Sequence, residues 1–186
     1  AAQKTAGVLR KLLGAASDKH MKKDCYEFCW IVDFPMYEIG EEYPEVAIEV
    51  IPGVTAALGG SAVLGAAVGH DVSLISLSDL LTPWELIEER LLCAAKADFV
   101  ICLYNPSSRK RSTYLAKACE IMLEYKAEDT VCGIVKNIAR EGETMQTLTL
   151  KELKETTVDM FSTVFIGNKQ TKVIREKMVT PRGYRI

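Results

Sequence analysis

The 186-residue chain contains no stretch of about 18 apolar residues, the length a membrane-spanning helix needs. Its longest weakly polar stretch, residues 50–69, is interrupted by Pro52, Gly53, Gly59, Gly60, Ser61 and Gly65. A cationic excess is lacking too: 23 Lys and Arg against 25 Asp and Glu leave a net charge of −2, which argues against a nucleic-acid partner. The two histidines, His20 and His70, are far apart and suggest no His-based triad. Six cysteines are present, but Cys25 and Cys29 have no second pair or histidine at ligand spacing, so no metal site is expected. Cys93, Cys102, Cys119 and Cys132 lie in or beside apolar runs and read as small hydrophobes. Neither a Gly-x-x-x-x-Gly-Lys-Ser/Thr loop nor a Gly-x-Gly-x-x-Gly motif occurs, which excludes a P-loop ATPase and removes the dinucleotide fingerprint. The first eleven residues are basic and polar without an apolar h-region, so a cytoplasmic protein is expected.

What remains is the composition of a globular domain, with 48% hydrophobic and 26% charged residues. Residues 1–35 show helical spacing at Ala6, Leu9 and Leu13 and then no sustained period. Beyond them the pattern is regular. A β-rich run at 47–51 stops at Pro52-Gly53, and a helix rich in small residues is expected over 55–68. A strand at 72–77 follows. Thr82-Pro83-Trp84-Glu85 has the form of a capping box and opens a helix to Lys96. Residues 99–104 form a buried strand by composition, and 107–125 an amphipathic helix with Leu115, Ala118, Cys119 and Met122 on one face. Strands are expected at 131–136, 143–150 and 161–166, and a polar tail from 175. Such alternation predicts an α/β fold with a mixed, mostly parallel sheet and helices on both faces.

In open α/β sheets ligands bind beyond the carboxyl ends of the strands. The residues to weigh there are Thr55 and Ala56, the 76–79 loop, Tyr104 and Asn105, the 136–140 loop, and Gly167-Asn168. Thr55 either caps its helix or opens a small-residue turn (Ala56, Ala57, Gly59, Gly60) onto a ligand. Arg109, Lys110 and Arg111 fall in the first turn of the expected 107–125 helix, where the macrodipole disfavours cations. They either answer to an anion or form a solvated surface run. Glu41-Glu42 and Glu88-Glu89 read as surface pairs, so no acid–base pair is assigned.

The runs Ile51-Pro-Gly-Val-Thr-Ala-Ala, Gly69-His-Asp, Ile75-Ser-Leu-Ser-Asp-Leu-Leu-Thr-Pro-Trp-Glu and Leu103-Tyr-Asn-Pro-Ser-Ser-Arg-Lys-Arg together resemble the tetrapyrrole (corrin/porphyrin) methylase family. Lys136-Asn-Ile-Ala-Arg-Glu-Gly, Val164-Phe-Ile-Gly-Asn-Lys-Gln-Thr and Met178-Val-Thr-Pro-Arg-Gly-Tyr add to the likeness, which covers residues 36–184. The resemblance implies two α/β domains with S-adenosylmethionine between them, residues 36–186 being the C-terminal methylase domain. Residues 1–35 lack the family's glycine-rich loops and stand as an atypical segment in place of its N-terminal domain.

Carried over by resemblance, the cofactor-binding residues are Thr55, Ala56, Tyr104, Asn105, Asn137, Ala139, Ser162 and Thr163. Arg109, Lys110 and Arg111 would meet the carboxylates of a tetrapyrrole substrate. The implied chemistry is methyl transfer to ring carbon 17 of precorrin-3B or its cobalt analogue, coupled to ring contraction, in cobalamin biosynthesis. Holding the carbon nucleophile and the methyl in line supplies much of such a rate, which agrees with a sequence lacking an acid–base pair. A homodimer is also implied. The alternative is a truncated, non-catalytic α/β domain that binds an anionic small molecule or a partner subunit.

Overall fold

A computed structural model describes residues 53–183 except residue 109. The expectations for residues 1–35 and 47–51, and for Arg109, lie outside the described residues. Within them the order is α1 (Ala56–Leu64), β1 (Gly65–Ala66), β2 (Val72–Ser76), α2 (Trp84–Lys96), β3 (Val100–Tyr104), α3 (Tyr114–Leu123), β4 (Val131–Lys136), β5 (Thr144–Thr149), α4 (Leu150–Lys154), β6 (Ser162–Ile166), β7 (Lys172–Ile174) and β8 (Lys177–Val179).

The main sheet has the order β2-β3-β6-β4-β5, and β1-β8-β7 form a small second one. The sheet is mixed, as expected, but parallel pairs do not predominate. Among the described residues of the main sheet, only β2 and β3 pair parallel; β3–β6, β6–β4 and β4–β5 are all antiparallel. The cause is β6. It enters between β3 and β4 running against both, and β5 has already folded back on β4 as a hairpin. The ends of β3 and β4 and the start of β6 therefore share one edge.

Alternation of side chains sorts the core into two layers. Ile101, Leu103, Ile134, Val164 and Ile166 pack with Ile87 and Leu91 of α2, Leu115 and Met122 of α3 and Leu153 of α4. Cys102, Val135 and Phe165 point the other way and pack with Ala57 and Leu64 of α1. Helices thus cover both faces, and this burial on both sides makes the central strands continuous apolar runs. Cys102, Cys119 and Cys132 are buried as expected, whereas Cys93 is exposed on α2.

Several boundaries differ from the sequence expectation. The first helix stops at Leu64 because Gly65, at φ 133, leaves helical conformation. Thr82 caps nothing: α2 opens after Pro83 without a side-chain cap. The third helix begins not at residue 107 but at Tyr114, the first apolar residue of its spacing. A Thr149/Glu152 capping box, present as Thr-x-x-Glu in the sequence, opens α4. The expected polar tail from residue 175 supplies the turn and second strand of the β7–β8 hairpin, turned by Arg175 and Glu176 at φ 49 and 63 instead of by Asn-Gly.

Close approach of α1 to the sheet depends on missing side chains. A Cβ on Gly60 would lie 2.8 Å from the Phe165 ring and 3.1 Å from Ile138 Cδ1, and one on Gly59 3.0 Å from Ile138 Cγ2. From the sheet side, a Cβ on Gly133 would lie 2.6 Å from Leu64 Cδ1. At the far end of the sheet the buried Lys126 Nζ donates to Asp98 Oδ1 and to the carbonyls of Phe99 and Gly167, at 3.0–3.2 Å. Gly60→Ala is expected to cost about 1–3 kcal/mol through overpacking, despite alanine's better helix propensity. Gly53→Ala, with nothing among the described residues within 4 Å of the added carbon, should stay within about 0.5 kcal/mol of wild type, both variants being read by urea unfolding.

Candidate functional site

The shared sheet edge gathers most of the residues singled out in the sequence. Tyr104 ends β3 on the α1 face, and its hydroxyl lies 2.6 Å from Thr55 Oγ1 and accepts the Ala57 N–H at 2.8 Å. Thr55 holds the N-cap position of α1 (φ −67, ψ 150), but its side chain makes no cap bond. The Tyr104 hydroxyl satisfies that otherwise orphaned helical amide instead. Of the two readings of the small-residue turn, Gly59 and Gly60 serve close packing, while Thr55 and Ala56 remain exposed beside Tyr104.

Three non-glycine residues that follow β3 and β4 adopt left-handed backbone: Asn105 (φ 51), Asn137 (φ 53) and Ala139 (φ 56). Asparagine tolerates this conformation, but for alanine it costs on the order of 1–2 kcal/mol. Each is tied locally. Asn105 Nδ2 donates to Ser76 Oγ at 3.0 Å, linking the β3 and β2 ends. Asn137 Nδ2 donates to the Gly142 carbonyl at 3.4 Å, and the Ala139 N–H to Glu143 Oε2 at 2.7 Å. Between them Ile138 reaches onto Gly59 and Gly60, so the 137–143 loop packs against the start of α1.

Ser162 and Thr163 part company. As neighbours on β6 they point to opposite faces. Thr163 shares the Phe165 face with α1 and pairs with Val135, between the ends of β3 and β4. Ser162 lies on the other face, where its hydroxyl donates to Asp159 Oδ1 at 3.0 Å. Lys136 Nζ stands 2.7 Å from Asp159 Oδ2, and these residues line a groove of ≈ 370 Å³ with Ile134 and Met145. Burial pushes the Asp159 carboxyl up, but the Lys136 ammonium, the Ser162 hydroxyl and the Phe161 N–H outweigh it and hold it below the usual aspartate range.

The cationic run is also divided. Its expected helix start is absent, since α3 begins beyond it at Tyr114. The macrodipole argument for an anion there therefore falls away. Arg111 is engaged within the protein: Nη1 donates to the Leu77 carbonyl at 3.2 Å, Nε to Ser108 Oγ at 3.1 Å, and Asp79 Oδ1 lies 3.8 Å away. Asp79 also accepts the Tyr114 hydroxyl at 2.7 Å, which raises the Tyr114 pKa. The loop so fastened carries Leu80 and Leu81, 80% and 98% exposed, and Lys110 is left exposed. Asp79 lies in the 76–79 loop weighed in the sequence, whereas Glu143 and Asp159 escaped that reading, because each acts on a partner brought to it by a turn or by strand pairing.

In open α/β sheets, small molecules bind beyond strand ends of this kind, where small residues, left-handed loops and polar tips meet. The sequence pattern described as Tetrapyrrole (Corrin/Porphyrin) Methylases matches residues 29–154, and the chain belongs to this family. It is 44% identical over 146 residues to the probable cobalt-factor III C(17)-methyltransferase of Salmonella typhimurium, covering 78% of this chain and 61% of that protein. It is 46% identical over 146 residues to a protein of the same description from Methanocaldococcus jannaschii, covering 75% and 59%. The crystal structure of the methyltransferase CobJ superposes with a TM-score of 0.68 at 31% identity, over 75% of this chain and 59% of that one. The chain thus spans about three fifths of the length of these relatives. Among the described residues no helix is long and apolar enough to cross a membrane.

Two outcomes follow from the geometry. Tyr104→Phe leaves the Ala57 amide unpaired and should destabilise the fold by about 1–2 kcal/mol in urea unfolding. Asp159 has a folded pKa below its unfolded one, so its stabilisation is complete above the ordinary aspartate value, about 3.9. That stabilisation is lost as pH falls through the native value. Asp159→Asn should flatten the acid limb of the stability profile below about pH 4, read from urea midpoints.

Proposed function

We propose that this chain is the C-terminal, donor-binding part of an S-adenosylmethionine-dependent methyltransferase acting on ring carbon 17 of precorrin-3B or its cobalt analogue. The observation that carries the reading is the convergence of Thr55, Ala56, Tyr104, Asn105, Ala139 and Thr163 on one strand edge, within a family of methylases. The bound donor supplies a methyl group on a sulfonium, which leaves its electron pair on sulfur as the ring carbon takes the methyl.

The residues fit such a group. An adenosine is flat and rimmed by donors and acceptors, which suits exposed small residues and strand-end backbone amides. Thr55 and Ala56 offer the small surface, Asn105 and Asn137 the polar tips, and Thr163 a hydroxyl on the same face. Ser162 is left out of this set, since its hydroxyl serves Asp159 on the opposite face. For the substrate, the exposed Leu80 and Leu81 offer apolar contact to a macrocycle, and Lys110 a cation for its carboxylates. Arg111 takes a supporting role here, holding the loop that carries the leucines. The family resemblance further suggests a cytoplasmic homodimer.

Calorimetric titration of the chain with S-adenosylhomocysteine should give saturable one-to-one binding, lost in Thr55→Trp. Absence of heat up to about millimolar ligand, a binding free energy weaker than about −4 kcal/mol, would contradict the reading. It would favour the non-catalytic alternative for this chain.

A further inference from the structure

The 137–143 loop presents a small conformational puzzle. Alanine rarely adopts left-handed backbone, and Ala139 does so on an exposed loop where burial does not force it. The loop holds two further left-handed residues, Asn137 and Gly142 at φ 53 and 76. Two turn bonds brace it, from the Arg140 N–H to the Asn137 carbonyl at 2.9 Å and from the Glu143 N–H to the Arg140 carbonyl at 3.2 Å. Its shortest bond is the one from the Ala139 N–H to Glu143 Oε2, at 2.7 Å. A charged acceptor makes such a bond stronger than a neutral one.

We infer that Glu143 is a positioning residue for the methyl-donor site. Its carboxylate holds the Ala139 backbone in the left-handed conformation, and with it the loop that seats Ile138 on Gly59 and Gly60 beside Thr55. The inference rests on the donor-binding reading above. Ordering this loop before the ligand arrives removes an entropy cost from binding. Glu143 itself belongs to no buried cluster, so its loss changes the loop and leaves the core intact.

The test uses the whole chain and two readouts, calorimetry with S-adenosylhomocysteine and amide hydrogen exchange without ligand. Glu143→Ala is expected to weaken binding about tenfold, the equivalent of one hydrogen bond, and to speed exchange at Ala139 while the strands stay protected. Glu143→Gln, whose carboxamide oxygen accepts the same N–H, should stay within about threefold of wild type. Adding Ala139→Gly to Glu143→Ala should recover much of the affinity, because glycine adopts the left-handed region without strain. Wild-type-like binding by Glu143→Ala, or equal damage from Glu143→Gln, would overturn the positioning role while leaving donor binding standing. No binding by the wild-type chain would overturn both, whatever the exchange at Ala139 shows.

Discussion

The geometry of the candidate site depends on how closely α1 lies on the sheet. Helix and sheet usually keep a side chain's breadth between them, but here Gly59 and Gly60 face Ile138 and Phe165, and Gly133 faces Leu64. With no Cβ at these points, the start of α1 drops into reach of the end of β3. Only then can the Tyr104 hydroxyl satisfy the Ala57 amide, and only then does the 137–143 loop find a seat for Ile138. One packing constraint therefore brings together residues 55–57, 104 and 138, which are distant in sequence. The same packing denies the glycines a role as open space for a ligand.

A second organising feature is the direction of β6. By running against both β3 and β4, it places its first residues at the edge where those strands end. The alternation of a strand then divides that edge between two chemistries. On the α1 face Thr163 joins the small and strained loops. On the opposite face Ser162, Asp159 and Lys136 form an ion-paired cluster whose attractions outweigh the cost of partial burial. Arg111 shows the same economy: a cation that looks free in the sequence is committed to Leu77, Ser108 and Asp79.

The central strands were legible because burial on both faces writes them as apolar runs, as at Val100–Tyr104. Their pairing was not, since insertion of β6 between β3 and β4 is decided by contacts far apart in the chain. The start of α3 was legible in hindsight: no apolar residue with helical spacing precedes Tyr114 after Pro106. At the site, the bond between Thr55 and Tyr104 spans 49 residues and has no local signature. The assignment of these residues came from family resemblance, whereas the separation of Ser162 from Thr163 follows from a period of two. Glu143 was invisible for another reason, since an exposed glutamate after a glycine ordinarily marks a solvated turn.

The central claim is that one face of this strand edge is built for a methyl donor. A crystal structure of the chain with S-adenosylhomocysteine tests it most directly. The account predicts the adenosine on the α1 face, touching Thr55, Ala56, Asn105 and the 137–139 backbone, with Ser162 and Asp159 out of contact. Ligand lodged instead in the groove lined by Lys136, Asp159 and Ser162 would contradict it.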